Sequence, residues 1–336
     1  MNKLSLFPLL FSALLFTACT PDPDPEKPAD VSTTEKTAPA KTIAADFPYT
    51  FEQVAAHTWV MHGPLALPNP ENRGFMNNPG VVETTAGLVI IDPGSTVHVG
   101  RHVLAQIKTI SDKPVAAVFN THIHGDHWLG NQAIREAFPG VKIYGHPNMR
   151  AAVADGEGEN WVSLMESMTE GASKGTKVVA PDSNADNTDS IRVGDTTFRI
   201  HHYGVAHTNG DIMIEVVENS VIFLGDNVLA KRLPRMSDGT FQGSIDSINT
   251  VLKKDIKTWV PGHGPTGDKA MVRDFLNYVS LVYAAAKQAF EDDLDSSDVI
   301  SITRRTTAAY KDWSGYEEQL GPHGAQAFAE VEAAEF

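Results

Sequence analysis

The chain has 336 residues, of which 42% are hydrophobic, enough to build one large core or two modest ones. A formal net charge of −15 argues against nucleic acid as a partner, because phosphate binding needs a basic surface, and it suits a soluble body in an exported compartment. The single cysteine, Cys19, stands close to the start, so the folded body is expected to carry neither a disulfide nor a thiol nucleophile.

Residues 1–18 read as a signal peptide: Lys3 precedes an apolar run from Leu4 to Phe16 that is too short for a comfortable membrane span. The stretch Leu15-Phe16-Thr17-Ala18-Cys19 resembles a bacterial lipobox, in which Cys19 becomes the lipidated first residue. It implies a lipid anchor at the periplasmic face of the cell envelope, on the outer membrane rather than the inner. An ordinary cleaved signal with an incidental cysteine is the alternative. Residues 19–45 form a linker, Pro-rich and charged over Pro21-Asp22-Pro23-Asp24-Pro25-Glu26-Lys27-Pro28 and without apolar periodicity afterwards. The folded domain is expected over residues 46–336.

In that domain, Tyr49 to Val54 and His57 to Met61 read as a first strand pair, and Gly80 to Thr84 and Gly87 to Ile91 as a second. His62 to Pro79 is a Gly/Pro/Asn-rich loop of a length that usually serves function. Asp92-Pro93-Gly94 stops the fourth strand. Val97 to Ile110 is predicted as a helix, Val115 to Phe119 as a buried strand, and a second helix runs from Asp126 to about Phe138. A strand follows at Val141 to Tyr144. Residues 147–190 look like a helical insertion, with helices at Pro147 to Ala154 and Trp161 to Thr169. Strands return at Thr196 to His202, Asp211 to Val217, Ser220 to Leu224 and Thr258 to Val260. Ser244 to Lys254 is a helix, and C-terminal helices cover about 268–336, with Ala308, Tyr310 and Trp313 expected to pack back on the body. Strands then helix, twice over, imply an α/β fold of two facing halves, an αβ/βα sandwich with its site along one edge.

The chemistry concentrates in Asn120-Thr121-His122-Ile123-His124-Gly125-Asp126-His127. His122 and His124 are two apart, so an extended backbone projects both from one face. Gly125 lets the chain turn, and Asp126 and His127 open the next helix. Neutral imidazoles with a carboxylate suit a borderline cation such as Zn²⁺. Three more ligand-type residues stand at strand ends: His207 in His207-Thr208-Asn209-Gly210-Asp211, Asp226 directly after Val221-Ile222-Phe223-Leu224-Gly225, and His263 in Pro261-Gly262-His263-Gly264.

On these residues the chain resembles the metallo-β-lactamase-fold hydrolases over roughly 50–290. The resemblance implies a four-layer αβ/βα sandwich and two Zn²⁺ per chain. His122, His124 and His207 would hold one ion, Asp126, His127 and His263 the other, with Asp226 bridging; Asp92 resembles the buried aspartate that orients the ligand loop. Two Zn²⁺ about 3.5–4 Å apart can share a hydroxide whose pKa falls toward about 7, and Asp126 can accept its proton, so Asp126 and Asp226 are the expected catalytic carboxylates. An aspartate at the bridging place resembles the glyoxalase II, lactonase, phosphodiesterase and alkylsulfatase branch; the lactamases proper carry another residue there. Flavodiiron oxygen reductases need a Glu where His124 stands. The Asn-Thr-His-x-His-x-Asp-His-x-x-Gly-Asn wording also resembles periplasmic zinc hydrolases associated with quinoprotein systems.

The expected reaction is hydrolysis of an ester, thioester, lactone or amide carbonyl in a small molecule. β-Lactam hydrolysis and phosphodiester or sulfate-ester cleavage are the rival reactions, and a non-catalytic zinc-binding lipoprotein the rival class. His62 in the first long loop and Asn209 in the His207 turn are candidates for touching substrate. Lys231 and Arg232, with Arg235, offer a cationic lip for an anionic group. His201, His202 and Trp128 are read as packing residues.

Overall fold

The computed structural model describes residues 47–335. The signal segment, Cys19 and the linker expected over 19–45 lie outside the described residues. The first sheet has seven strands in sequence order: β1 (Glu52–Ala55), β2 (Thr58–Val60), β3 (Gly80–Thr84), β4 (Gly87–Ile91), β5 (Val115–Phe119), β6 (Lys142–Gly145) and β7 (Ser183–Asn184). β1 to β4 form an antiparallel meander, and β4 to β7 run parallel. Parallel neighbours need crossovers. These are α1 (Val97–Ile107) between β4 and β5, and α2 (Gly125–Trp128) with α3 (Asn131–Ala137) between β5 and β6. Two helices, α4 (Pro147–Ala154) and α5 (Glu157–Met168), precede β7.

The second sheet has the order β12-β11-β10-β9-β8, from β8 (Ser190–Val193), β9 (Thr196–His201), β10 (Met213–Val216), β11 (Val221–Phe223) and β12 (Thr258–Val260). Only β11 and β12 are parallel, and α6 (Phe241–Val251) crosses between them. Three helices close the chain: α7 (Lys269–Glu291), α8 (Ser296–Thr306) and α9 (Tyr316–Ala334).

The layering follows from which side chains each strand faces in two directions. β4 is buried throughout and shows no polar alternation, as expected of a strand covered on both faces. Val89 and Ile91 point to the other sheet, where they join Phe119, Phe198, Ile200, Ile214 and Phe223. Leu88 and Ile90 point outward to Val99 and Val103 of α1 and Ile134 of α3. On the far side, Ile222 and Trp259 pack against Phe241, Phe275, Tyr278 and Val282 from α6 and α7. The stack is therefore helix, sheet, sheet, helix. Among the described residues no helix is long and apolar enough to cross a membrane.

The structure departs from the sequence reading in three places. The helix expected from Asp126 to Phe138 is broken into α2 and α3, because Gly130 N–H donates to Gly94 O instead of continuing the helical ladder. The helical insertion ends before Ser183, since Ser183–Asn184 and Ser190–Val193 are strands. Tyr310 and Trp313 do pack inward, edge to face at 4.8 Å, whereas Ala308 is exposed and Thr307 takes the buried place.

Candidate metal centre

Strand ends bring the chemistry together. Asp92 follows β4, the 120–127 segment follows β5, Asp226 follows β11 within a short 3₁₀ turn (Gly225–Asn227), and His263 follows β12. His207 comes from the turn between β9 and β10. All seven ligand-type residues (His122, His124, Asp126, His127, His207, Asp226 and His263) are buried.

Their atoms form three groups, each with ligand atoms within 4.8 Å of one another: His122 with His124 and His207, Asp126 with His127 and His263, and His122 with His127 and Asp226. The first two groups are separate triads. The third straddles them through Asp226. One oxygen of Asp226 lies 3.1 Å from His127 Nε2, and the other lies 3.6 Å from His207 Nε2 and 3.3 Å from His263 Nε2. Asp126 Oδ2 is 3.1 Å from His263 Nε2. A Cβ on residue 262 would stand 1.9 Å from Asp226 Oδ1, so only glycine lets that carboxylate seat here.

Four of the five imidazoles are held through their other nitrogen, whereas His207 Nδ1 has no hydrogen-bond partner. His127 Nδ1–H donates to Asp92 Oδ2 at 2.8 Å, His263 Nδ1–H to Met76 O at 2.7 Å, and His124 Nε2–H to Asp238 Oδ2 at 2.9 Å. His122 Nδ1 lies 3.0 Å from Thr121 Oγ1, which itself donates to Asp92 Oδ2 at 2.7 Å. Asp92 also accepts from Thr121 N–H, and its φ of +51° is a left-handed conformation that an aspartate tolerates when its side chain is held this firmly. One carboxylate thus stands behind a histidine of each triad. Such partners fix tautomer and ring orientation at metal sites.

Electrostatics sort the same residues. Burial, with His127 next, drives His122 well below the ordinary histidine range, and burial with His124 brings His207 down to about 3, so both stay neutral. Burial penalises the Asp126 and Asp226 carboxylates too, yet His127 and His263 beside them outweigh it and keep both ionised. Burial likewise opposes charge on His127 and His263, but Asp226 and its neighbours raise both. Metal ligation demands neutral imidazoles and ionised carboxylates. His122 and His207 with the two carboxylates already meet that demand, while a cation would have to displace the proton that Asp126 and Asp226 favour on His127 and His263. Three buried polar atoms of the cluster, His122 Nε2, His207 Nδ1 and Asp226 Oδ1, have no hydrogen-bond partner. Orphans of that kind are costly unless a ligand meets them. The donor set therefore fits metal cations.

Around the centre, α5 supplies a wall: the Trp161 ring is 4.9 Å from that of His124. Arg232 is buried, donates to Leu65 O at 2.7 Å and to Ala66 O, and lies within reach of the fields of Asp126 and Asp226. The remaining substrate candidates lie elsewhere. Lys231 turns outward to Asp274 at 3.6 Å and over the Trp313 ring, so it is not part of a cationic lip. Arg235 is exposed and donates to Ser237. His62 is held by Thr266 at 2.9 Å and faces Glu52. Asn209 is exposed at the rim, its carbonyl bound by Asn148. His201 pairs with Glu215 at 2.7 Å, His202 stacks on His146, and Trp128 is fully buried.

Sequence reasoning missed four contributors. Met76 acts through its carbonyl, which no side-chain pattern reports. Asn78 ties the first long loop to the His263 loop, donating to Pro261 O and Gly264 O. That loop therefore braces the turn that carries His263. Asp211 accepts from Thr208 N–H and Oγ1–H at 2.7 Å, closing the His207 turn. Asp238 lies in Ser237-Asp238-Gly239, a turn signature with nothing local to link it to His124.

A sheet-on-sheet α/β sandwich with a buried His/Asp ligand cluster at its strand ends defines a metal-dependent hydrolase. Residues 72–263 match the family profile of the metallo-beta-lactamase superfamily, more than half of the chain, and the chain belongs to that superfamily. It is 23% identical over 228 residues to a type 2 metallo-beta-lactamase from Bacillus sp. (strain 170), covering 66% of this chain and 79% of that one. It is 24% identical over 177 residues to a hydroxyacylglutathione hydrolase from Thermosynechococcus vestitus, covering 52% of this chain and 58% of that protein. The inverting sec-alkylsulfatase Pisa1 from Pseudomonas sp. superposes with a TM-score of 0.63 at 16% identity over 84% of this chain and half of its own, a likeness of fold alone.

Proposed function

We propose that the protein is a binuclear zinc hydrolase that cleaves an ester, thioester, lactone or amide carbonyl in a small molecule. The observation that carries this reading is the straddling group: Asp226 approaches histidines of both triads, as a bridging carboxylate does and an imidazole cannot. His122, His124 and His207 would hold one ion, and Asp126, His127 and His263 the other. Bound there, two Zn²⁺ would supply a Lewis acid and lower the pKa of water toward about 7. Asp126, 3.1 Å from His263, is the carboxylate that would take a proton. Asp92, Asp238 and Met76 hold the imidazoles in place. Elemental analysis of the purified, zinc-loaded protein should return close to two ions per chain. A count of one, unchanged in Asp226→Ala, would sink the bridging assignment.

Arg232 supports a second reading, in which the bond broken belongs to a phosphodiester or sulfate ester, or the carbonyl substrate carries an anionic group. A buried guanidinium beside the cluster is a strong partner for such an anion. Losing one charged hydrogen bond costs about 1.5–3 kcal/mol, so Arg232→Ala should raise KM for anionic substrates by about tenfold or more. kcat and the metal count should stay put. Equal effects on anionic and neutral esters would remove Arg232 from recognition.

At the level of the cell, the protein is proposed to be held by lipid on Cys19 at the periplasmic face of the envelope, a reading supported by Leu15-Phe16-Thr17-Ala18-Cys19. Cell fractionation tests it. Cys19→Ser should move the protein from the membrane fraction to the soluble one, and a variant that stays with the membrane refutes the anchor.

A further inference from the structure

Asp238 holds His124, yet its own side chain is 44% exposed and it sits in a loop between Asp226 and α6. Burial does not fix it. A second element does. α9 lies wholly beyond residues 72–263, the part of the chain that carries the family match. From α9, the Gln326 amide donates to Met236 O at 2.6 Å and to Gly239 O at 2.9 Å, the carbonyls on either side of Asp238. One turn earlier on the helix, His323 Nε2–H donates to Pro234 O at 2.8 Å. One turn later, Glu330 accepts from Phe241 and Gln242 N–H at the start of α6. The loop is gripped along its length, and Asp238 sits at the grip's centre.

The turn gripped by Gln326 also presses on the metal centre. A Cβ on Gly239 would meet Ala206 O at 2.1 Å and His207 O at 2.5 Å, so this turn is packed against the backbone that carries His207. Its Asp238 reaches His124 at 2.9 Å, and His124 Nδ1 is 2.9 Å from His207 Nε2. Two of the three ligands in the His122–His124–His207 triad are thus touched by a single turn. Site groups on loops need such support, because small misplacements are expensive.

We propose that Gln326 is a positioning residue for the His122–His124–His207 half of the centre, acting through the Met236–Gly239 turn and Asp238. The inference rests on the reading of that triad as a metal site. It assigns to the C-terminal helix, outside the matched region, a share in metal affinity.

The test is stepwise zinc affinity, measured by competition with a chromophoric chelator on the purified protein, its Gln326→Leu, Gln326→Glu and Asp238→Ala variants, and the Gln326→Leu/Asp238→Ala double variant. Replacing a direct partner of a ligand costs about 10–100-fold in metal affinity, so an indirect one is expected to weaken one of the two sites by about fivefold and leave the other unchanged. In the double variant the loss should fall short of the sum of the two single losses, since Asp238 carries one of the two routes from Gln326 to the triad. Unchanged affinities overturn the proposal, and so do losses that add in the double variant or fall on both sites alike. If Gln326→Leu does not fold, Gln326→Glu, which keeps the size and removes the donor, makes the same comparison. A wild-type protein that binds no zinc, or binds it equally well after His207→Ala, would instead refute the metal reading itself.

Discussion

Asp226→Asn is expected to lower kcat by at least about 10²-fold, because a correctly held metal contributes several kcal/mol and each 1.36 kcal/mol is a factor of ten. The substitution keeps the shape that fits against Gly262 and removes the one carboxylate that faces His127, His207 and His263 together. The same carboxylate favours positive charge at His127 and His263, so its loss also weakens the site's hold on a dication. Metal content should fall toward one ion per chain. KM should move little, since Arg232 and the loops around the cleft remain. The measurement is kcat, KM and metal content on the best substrate from a panel holding a thioester, lactones, a cephalosporin and bis-p-nitrophenyl phosphate. Near-normal kcat would show that the site works with one metal.

The second large effect is expected at Asp92, which touches neither substrate nor metal. Its carboxylate accepts Thr121 N–H, Thr121 Oγ1–H and His127 Nδ1–H, all in the interior. Asp92→Ala leaves these donors without partners, at about 1–3 kcal/mol for each buried group, so a stability loss of about 3 kcal/mol or more is expected in denaturant unfolding. The same change frees His127 directly and His122 through Thr121, one histidine of each triad. Both metal affinities should therefore fall by about 10-fold or more, as for other partners of ligating histidines. This separates Asp92 from Gln326, whose effect is confined to one triad. A stable Asp92→Ala protein with wild-type zinc affinities would show that the strand-end turn holds itself.

Much of this architecture was legible because two independent local signals coincide. Apolar runs such as Val115 to Phe119 mark strands covered on both sides, and polar or glycine-rich breaks mark their ends. The ligand-type residues fall at those breaks, and His122 and His124 do meet in one triad, through a bend at 122–123 rather than the extended segment their spacing suggested. Arg232 was legible as a cation near the site, while its neighbour Lys231 was not separable from it. The difference is a matter of one residue's direction along an irregular loop, where no period governs which side chain turns inward. The left-handed φ of +60° at Lys231 sends the two apart.

What the sequence determined by itself is the set of elements and the candidate ligand-type residues at their ends, because both are read from local pattern. What only the tertiary structure decided is how those residues are held and brought together. Asp226 meets both triads because β11 and β12 lie side by side in parallel and deliver their turns to one point, a pairing across 37 residues of register from Val221 to Thr258. His263 is aimed by Met76 across 187 positions of chain, and His124 by Asp238 across 114. A backbone carbonyl has no residue type to recognise, and an aspartate in a surface turn has no local reason to be special. Such partners acquire their meaning from packing, and packing is a property of the whole fold.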